Sequence, residues 1–524
     1  METLTGVVVL LGVVVVGAAL ARRLGLLAPI VLVVVGLVFS FLPGFPTVQL
    51  DPELVLVGIL PPLLYVAAVQ TSVPAFRFNL RPILLLAIGL VIFTAFAVGL
   101  VLHLLLPTVP FAACVALGAV VAPPDAIAAT AVARRIGLPR RVVSILEGES
   151  LINDATALVL LRVSIAAAGG TAVGFGHIAG EVLLSAGGGL LIGVLGALLL
   201  GFLHRRVKDP LLENALSLLS PFILVLPAEY LHMSGIVAVV VAGLALGHRM
   251  PTLLAAESRL QMNAFWRLVT FVLEGLVFLL VGLQLRDVLR NLQTGWVTVA
   301  WATLAVLLTV ILARFVWLFP SAYLARLVPR IRRREPALSP RFPAIIAWAG
   351  MRGVVTLAAA LALPLELANG TPYPRGLFVW LAFATIVVTL LVQAATLPAV
   401  ARWLRLPPDD TTADVLSEAA VQHAAGRAAR ERLDAHADGA PAAVVERLRK
   451  AIDDRSNAAW ERLGGEGQET PYQAYGRLRQ EMIDAEREVF RVARDEGRIP
   501  EEVLVEAQRD LDLEESLLRR RTER

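Results

Sequence analysis

Long apolar runs, repeated along most of the chain, limit the folds that this sequence can adopt. Its 524 residues are 57% hydrophobic and only 17% charged, and their mean hydropathy is +0.73. An apolar run of about 18 residues or more is long enough for an α-helix to cross a bilayer. The runs are continuous rather than alternating, which excludes a transmembrane β-barrel. The pattern predicts an all-α polytopic membrane protein.

The apolar runs predict about thirteen membrane spans within residues 1–402. We expect the first run to be a true span, because the N-terminal residues carry no basic stretch of the kind found in signal peptides. Cys114 is the single cysteine and lies inside an apolar run, so the chain can form no intrachain disulfide. The spans are predicted near residues 4–21, 25–43, 53–70, 82–106, 109–133, 142–168, 177–203, 211–230, 234–248, 265–285, 296–325, 341–364 and 375–402.

The last part of the chain, residues 403–524, has a different composition. It is rich in Arg, Glu, Asp and Ala, and its apolar residues recur at helical spacing. This pattern predicts a soluble helical tail that follows a transmembrane domain of residues 1–402. A dimer contact, a regulatory element and a merely solvated tail all remain open from the sequence.

Basic residues are concentrated in every second connection between the predicted spans. Cytoplasmic loops carry such an excess of Lys and Arg, so the N-terminus is predicted outside and the C-terminus in the cytoplasm. The connection near Arg286 and Arg290 is the main exception. The expected location is the cell membrane. The basic clusters lie at residues 22–23, 77–81, 134–141, 205–208, 249–267 and 326–334.

The predicted span 142–168 carries polar residues where a membrane helix is normally apolar. It contains Glu149, Ser150, Asn153 and Asp154. Residues four apart share a helix face, which pairs Ser150 with Asp154 and Glu149 with Asn153. An acid inside a membrane indicates a functional site, and hard oxygen ligands of this kind suit a small cation. The alternative is an acid neutralised by an Arg of another helix, which is the favoured interpretation for Glu149.

A helix interruption is predicted in the span 109–133. Pro123 and Pro124 remove backbone donors, and such a break is tolerated only where the freed backbone faces protein or water. Asp125 follows the break and would begin a half-helix, whose exposed N–H groups favour a carboxylate. Asp125 therefore either caps that half-helix or also borders an ion path.

A second interruption is predicted in the span 341–364, where Gly350 and Gly353 bracket Arg352. An Arg in this position is expected to pair with an acid. The two interrupted spans are seven apart in order, so they run in opposite directions. Broken helices in inverted halves of a chain indicate a secondary-transporter site near the membrane midplane. The sequence therefore predicts inverted repeats with two broken helices that cross.

With these residues, the chain resembles the cation:proton antiporter-1 family, in its bacterial branch of NhaP-like sodium/proton exchangers. The resemblance covers about residues 1–402, and its most specific motif contains the Asn153-Asp154 pair. The residues that carry it are 148–156 (GESLINDAT), 350–355 (GMRGVV), 60–65 (LPPLLY) and 234–236 (SGI).

The resemblance implies electroneutral Na+/H+ exchange by alternating access, with Asp154 binding either Na+ or H+. Asn153 would support the site in place of the second acid of electrogenic relatives. Ser150 and Asp125 would lie near the ion. The chain has no Walker A motif, so an ATP-driven pump is not supported. We expect no cofactor, no enzymatic activity and no nucleic-acid partner.

The resemblance also implies that Glu149 and Arg352 form a structural ion pair and that the protein is a homodimer surrounded by lipid. Two departures from the family pattern lie near the ion region and concern ion selectivity. Val66 stands where related exchangers often have an acid, and Pro124-Asp125-Ala126 stands where many have Thr-Asp-Pro. Exchange of K+, Li+ or mixed cations for H+ therefore remains open. A channel, or a membrane sensor whose tail is the effector, is the alternative from another functional class.

Overall fold

A computed structural model describes the chain in ranges separated by short gaps, and every regular element within those ranges is a helix. The chain forms two compact units, Met1–Pro408 and Asp409–Arg524. The described residues are 2–42, 52–169, 175–292, 294–324, 327, 329, 339–367, 373–406, 409, 411–464 and 471–522.

The first unit contains nineteen α-helices in its described ranges, joined in places by π-helical turns at Leu54–Ile59, Leu85–Leu90 and Thr389–Gln393. The α-helices are α1 (Glu2–Arg23), α2 (Ala28–Phe39), α3 (Leu60–Gln70), α4 (Val73–Phe78), α5 (Leu80–Leu84), α6 (Val91–Leu105), α7 (Phe111–Val121), α8 (Ala126–Arg135), α9 (Arg140–Ala168), α10 (Phe175–Arg206), α11 (Pro210–Tyr230), α12 (Gly235–Leu253), α13 (Ala256–Leu283), α14 (Leu285–Arg290), α15 (Trp296–Leu324), α16 (Arg341–Trp348), α17 (Val354–Leu361), α18 (Arg375–Val388) and α19 (Ala394–Leu404).

Nine helical segments of the described chain are long and apolar enough to cross a membrane. The predicted spans near 25–43, 53–70 and 109–133 correspond to shorter apolar helices. The prediction of a polytopic all-α membrane protein is therefore confirmed, while the count of thirteen spans remains a prediction. The nine long segments are Thr5–Arg23, Leu80–Leu105, Arg140–Ala168, Leu183–Arg206, Pro210–Tyr230, Gly235–Leu253, Ala256–Arg290, Trp296–Leu324 and Arg375–Leu404.

Glycines allow several membrane helices to pack with their backbones close together. An added Cβ at Gly118 of α7 would overlap the Ala95 carbonyl of α6, and one at Gly247 of α12 would overlap the Val69 carbonyl of α3. Small residues at such positions let membrane helices approach closely, which strengthens van der Waals packing where lipid supplies no hydrophobic drive. Substituting either glycine would push a helix pair apart.

Helix α9 lies between the two main apolar clusters of the membrane unit. Leu146 and Leu161 belong to one cluster, and Leu151 and Ala155 belong to the other. A helix that packs on both sides has little freedom to rotate or shift. The polar residues in the middle of α9 are consequently held at the boundary between the two clusters.

The second unit consists of four helices in its described ranges: α20 (Thr411–Asp434), α21 (Ala442–Gly464), α22 (Pro471–Asp495) and α23 (Glu501–Thr522). Helices α22 and α23 pack around the buried Ile483 and Leu511. Arg479 binds the Glu514 carboxylate with two hydrogen bonds of 2.7 Å, which holds the pKa of that carboxyl below its usual value. The helical character predicted for the tail is confirmed.

Candidate ion-binding site

Two interrupted helices meet in the membrane unit. Helix α7 ends at Val121 and α8 begins at Ala126, while α16 ends at Trp348 and α17 begins at Val354. The two extended connections touch, because the backbone N–H of Asp125 donates a 2.7 Å hydrogen bond to the Met351 carbonyl. The breaks predicted from Pro123 and Pro124 and from Gly350 and Gly353 are therefore both present.

Asp125 caps a half-helix, which is one of the two roles that its sequence position allowed, and it also lines a cavity. Its Oδ1 accepts a 2.8 Å hydrogen bond from the Ile127 N–H, so the side chain caps the N-terminus of α8. The same residue lines a cavity in the membrane unit. Gly353 lies against the carboxylate, and a Cβ at that position would overlap Asp125 Oδ2. The glycine is thus required for the close approach of the two breaks.

The cavity has a volume of about 310 Å³ and lies between the breaks and helices α3, α8, α9, α13 and α17. Its polar lining contains hydroxyls and carboxylates, and Arg134 is the sole Lys or Arg among its described lining residues. Arg134 itself binds Glu147 at 2.6 Å, and its side chain is 67% exposed. The side chains that give the cavity its polar character are Gln70, Asp125, Thr130, Glu147, Ser150, Asp154, Thr270, Glu274 and Thr356.

Asp154 and Ser150 lie on the cavity wall formed by α9. Their spacing of four residues places them on one face, as predicted. Asp154 is only 5% exposed, and it forms no hydrogen bond or ion pair with any residue that the structure describes. A buried acid with no protein partner is costly unless it is protonated or bound to a cation. Asp154 is therefore the strongest candidate for the ion-binding group.

Asn153 is placed differently from its neighbour. Its Nδ2 donates a 2.7 Å hydrogen bond to the Pro124 carbonyl, which the break leaves without a helical partner. It is fully buried and does not belong to the described cavity lining, and its Oδ1 has no hydrogen-bond partner among the described residues. Asn153 thus joins α9 to the first break and positions the wall on which Asp154 lies.

The predicted ion pair between Glu149 and Arg352 is wrong, because Glu149 binds Arg314 of α15. Arg314 Nη1 and Nη2 donate to Glu149 Oε1 and Oε2 at 2.6 and 2.7 Å. Both side chains are 1% exposed. The parallel two-bond geometry satisfies both carboxylate oxygens and gives the strongest form of this interaction. Arg314 was missed, although a single Arg within the apolar run 296–325 was the available signal.

Arg352 instead binds the backbone carbonyls that the breaks expose. Its Nε donates to Val121 at 3.0 Å, Nη2 donates to Ala122 at 3.4 Å, and Nη1 donates to Gly350. The last carbonyls of a helix lack internal partners, and a cation near them is favoured by the helix dipole. Arg352 therefore stabilises the C-terminal end of α7, which explains why an Arg can be buried there.

Glu274 is a cavity residue that sequence reasoning did not assign to the site. It lies on α13 and lines the same cavity as Asp154 and Asp125. The available signal was its isolation as a lone acid in the predicted span 265–285. Its position relative to Asp154 depends on how α13 packs, which the sequence pattern does not specify.

The membrane unit is matched over residues 9–403 by the family model described as "Sodium/hydrogen exchanger, transmembrane". An uncharacterized Na+/H+ exchanger of Mycobacterium tuberculosis is 38% identical over 522 residues, which covers 97% of this chain and 95% of that protein. A sodium, potassium, lithium and rubidium/H+ antiporter of Bacillus subtilis is 33% identical over 386 residues, covering 71% of this chain and 57% of that protein.

The fold is also similar to a solved structure. The sodium proton antiporter MjNhaP1 from Methanocaldococcus jannaschii matches with a TM-score of 0.61 and 18% identity, over 77% of this chain and 99% of that one. At this identity the likeness shows the fold alone. The family model and the 38% identical relative, which spans nearly the whole chain, decide the assignment. This chain belongs to the sodium/hydrogen exchanger family.

Proposed function

We propose that the chain is a secondary active antiporter that exchanges a monovalent cation for H+, with electroneutral Na+/H+ exchange as its main activity. The observation that carries the proposal is the environment of Asp154. Its carboxylate is buried, has no partner among the described residues, and lines a cavity whose charged groups are mostly acidic. Membership of the sodium/hydrogen exchanger family supports the same activity.

The exchange follows from competition at one carboxylate. In a low-dielectric site, the charge of Asp154 is neutralised either by a bound cation or by a proton, and one excludes the other. If the protein alternates its opening between the two sides of the membrane, each cation released is replaced by a proton taken up. A downhill gradient of one ion then drives the other without ATP.

The cation is proposed to bind Asp154, Ser150 and Asp125, which all line the cavity. Hydroxyl and carboxylate oxygens are hard ligands that suit alkali cations better than soft metals. Asn153 is proposed to support the site indirectly, because its side chain holds the Pro124 carbonyl at the first break. We assign it no direct bond to the ion. With an amide at this position in place of a second acid, we propose that one proton is exchanged for one cation.

Access to the site is proposed from the side of the basic connection 134–141, which is the predicted cytoplasmic side. Arg134 and Glu147 line the cavity at that end of α8 and α9. Toward the other end, Ala157 and Leu161 of α9 are buried in apolar packing. A second cavity of about 620 Å³ begins near Thr108, before the start of α7. This arrangement corresponds to a carrier that is open inward and closed outward.

The cation specificity has a second candidate. The Bacillus subtilis relative is named as an antiporter of sodium, potassium, lithium and rubidium. Mixed-cation exchange, including K+ and Li+, is therefore the alternative to strict Na+ exchange. Counter-flow measured with each cation separately, by its ability to collapse a preset pH gradient across proteoliposomes, distinguishes the two. The channel or sensor alternative has no support from the relatives.

The remaining proposals concern the cellular setting. We place the protein in the cell membrane as a homodimer surrounded by lipid, with its N-terminus outside and its C-terminus in the cytoplasm. The alternation of basic connections supports this orientation. Ion exchange changes no covalent bond, so the proposed activity is transport and not enzymatic catalysis.

The decisive experiment is the substitution Asp154→Asn in proteoliposomes with an inward Na+ gradient and a pH-sensitive dye. We expect proton counter-flow to be lost while the protein remains folded, because Asn keeps the shape of the side chain and removes its charge. Asp209→Asn is the matched control, since Asp209 caps α11 at an exposed position and Asn can also cap a helix. Normal Na+-driven proton flux in Asp154→Asn would contradict the proposed function.

A further inference from the structure

Helix α13 places a second hydroxyl–carboxylate pair on the ion cavity. Thr270 and Glu274 are four residues apart on α13 and both line the cavity. Ser150 and Asp154 have the same spacing on α9 and line the same cavity. Residues four apart share a helix face, so each helix presents one hydroxyl and one carboxylate. Two separate walls of the cavity therefore carry the same combination of oxygen ligands.

Among the described residues, neither side chain of the pair on α13 forms a hydrogen bond or ion pair that would stabilise the fold. Thr270 Oγ1 is buried and has no hydrogen-bond partner among the residues that the structure describes. Glu274 likewise forms no hydrogen bond or ion pair with any described residue. Glu149, in contrast, has both oxygens bound by Arg314. Polar groups inside a protein are normally paired, so a hydroxyl and an acid without described partners, on two residues that line one cavity, indicate an exchangeable partner.

We propose that Glu274 and Thr270 form a second cation-binding wall, so that the transported cation is held between α13 and α9 rather than by α9 and the breaks alone. The proposal rests on the function proposed for Asp154 and deepens it. Glu274 raises the affinity for the monovalent cation, while coupling to the proton remains at Asp154. An alkali cation needs several oxygen ligands at once, and the added carboxylate and hydroxyl supply two from a different helix.

The test is the substitution Glu274→Gln, measured as Na+-dependent proton counter-flow in proteoliposomes over a range of Na+ concentrations. Loss of one charged ligand is expected to raise the apparent KM for Na+ by about ten- to a hundredfold, with a smaller change in the maximal rate. The matched control is Glu229→Gln, which removes the same charge from a surface pair with Arg162. That control is expected to leave the KM for Na+ unchanged.

A relocation of the carboxylate separates ion binding from a structural role. Val66 lines the same cavity from α3. Adding Val66→Glu to Glu274→Gln returns a carboxylate to the cavity from another wall. We expect the double variant to recover at least part of the Na+ affinity lost in Glu274→Gln. Failure of the double variant to recover any affinity, although it is folded, would contradict a ligand role for Glu274.

Two outcomes keep this role separate from the function of Asp154. If the wild type exchanges ions, Asp154→Asn does not, and Glu274→Gln has an unchanged KM for Na+, then the second wall is absent and the proposed function stands. If Asp154→Asn still exchanges ions, the proposed function itself fails. Should Glu274→Gln not fold, Thr270→Val provides the measurement, because an unchanged KM for Na+ in that variant also overturns the second wall.

Discussion

At the level of single residues, the buried charges of the membrane unit differ in what neutralises them. Glu149 is bound by Arg314 through two hydrogen bonds, and Arg352 is bound by backbone carbonyls at the breaks. Asp154 has neither kind of partner among the described residues. A buried charge with a permanent partner is part of the folded structure. A buried charge without one has to be neutralised by a cation or a proton from solution. Glu149 is therefore a structural acid, and Asp154 is the acid that we propose takes part in transport.

The ion pair between Glu149 and Arg314 gives a prediction about stability. Arg314→Met removes the cation but keeps an apolar stem of similar length, and it leaves Glu149 buried and unpaired. We expect a destabilisation of about 3–5 kcal/mol, which is the range for breaking a buried pair. The effect is measured as a lower unfolding temperature of the purified protein. Unfolding is monitored by the loss of its monodisperse peak in size-exclusion chromatography after heating.

The double variant Glu149→Gln with Arg314→Met is the control, because it removes both charges. Replacing both partners of a buried pair is often far less costly than removing one. We expect the double variant to unfold at a higher temperature than Arg314→Met alone. If the single variant is as stable as the wild type, the ion pair between Glu149 and Arg314 does not stabilise the membrane unit.

The sequence allowed some of these residues to be assigned and not others. Asp154 and Ser150 could be placed on one face because helix spacing is a local property. The partner of Glu149 could not, because Arg314 is 165 positions away, on α15, and the two side chains meet only in the folded structure. Arg352 could be singled out because glycines flank it. Its partners could not be predicted, because they are backbone carbonyls at the two breaks and not an acid.

At the level of helices, the site is built where two breaks touch. Proline and glycine are strong local signals, which is why both interruptions could be predicted. Their contact is a tertiary property, made by the hydrogen bond from the Asp125 N–H to the Met351 carbonyl. The position of α13 at the cavity is also a tertiary property, and it was not predicted. Local sequence thus located the breaks, and packing determined which walls surround them.

The contact between the breaks gives a prediction for Gly353. An alanine there would place its Cβ against the Asp125 carboxylate and force the two breaks apart. We expect Gly353→Ala to lose most of its cation/proton exchange, since movements of about 1 Å at a site can cost about a hundredfold in rate. Counter-flow in proteoliposomes, normalised to the amount of folded protein, measures the loss.

Gly12→Ala is the matched control for this change. Gly12 lies in α1, and an added Cβ there meets no other atom within 4 Å. Alanine is also the better helix former, so the control should fold at least as well as the wild type. Equal exchange by Gly353→Ala and Gly12→Ala would show that the breaks tolerate separation and do not set the geometry of the site.

At the level of the whole molecule, the membrane unit has a cavity toward each end of the interrupted span formed by α7 and α8. One contains Asp154 and is lined by Arg134, which lies at the end of α8. The other is lined by Thr108, which precedes α7. Between Thr108 and Pro123, which line the two cavities, α7 is buried from Ala113 to Val121. An alternating-access carrier requires this separation, because a continuous path would let ions leak.

The two cavities give a prediction that covers orientation and access together. Cys114 is the single cysteine and is fully buried, so the wild type should react little with a charged maleimide that cannot cross a membrane. Thr108→Cys places a thiol beside one cavity, and Thr130→Cys places a thiol in the cavity that contains Asp154. We expect intact cells to label Thr108→Cys, and inside-out membrane vesicles to label Thr130→Cys. The wild type provides the blank in both preparations.

Two outcomes would contradict this prediction. Labelling of Thr130→Cys in intact cells but not in inside-out vesicles would reverse the proposed orientation. Labelling of Thr130→Cys from both sides would contradict a cavity that is closed outward.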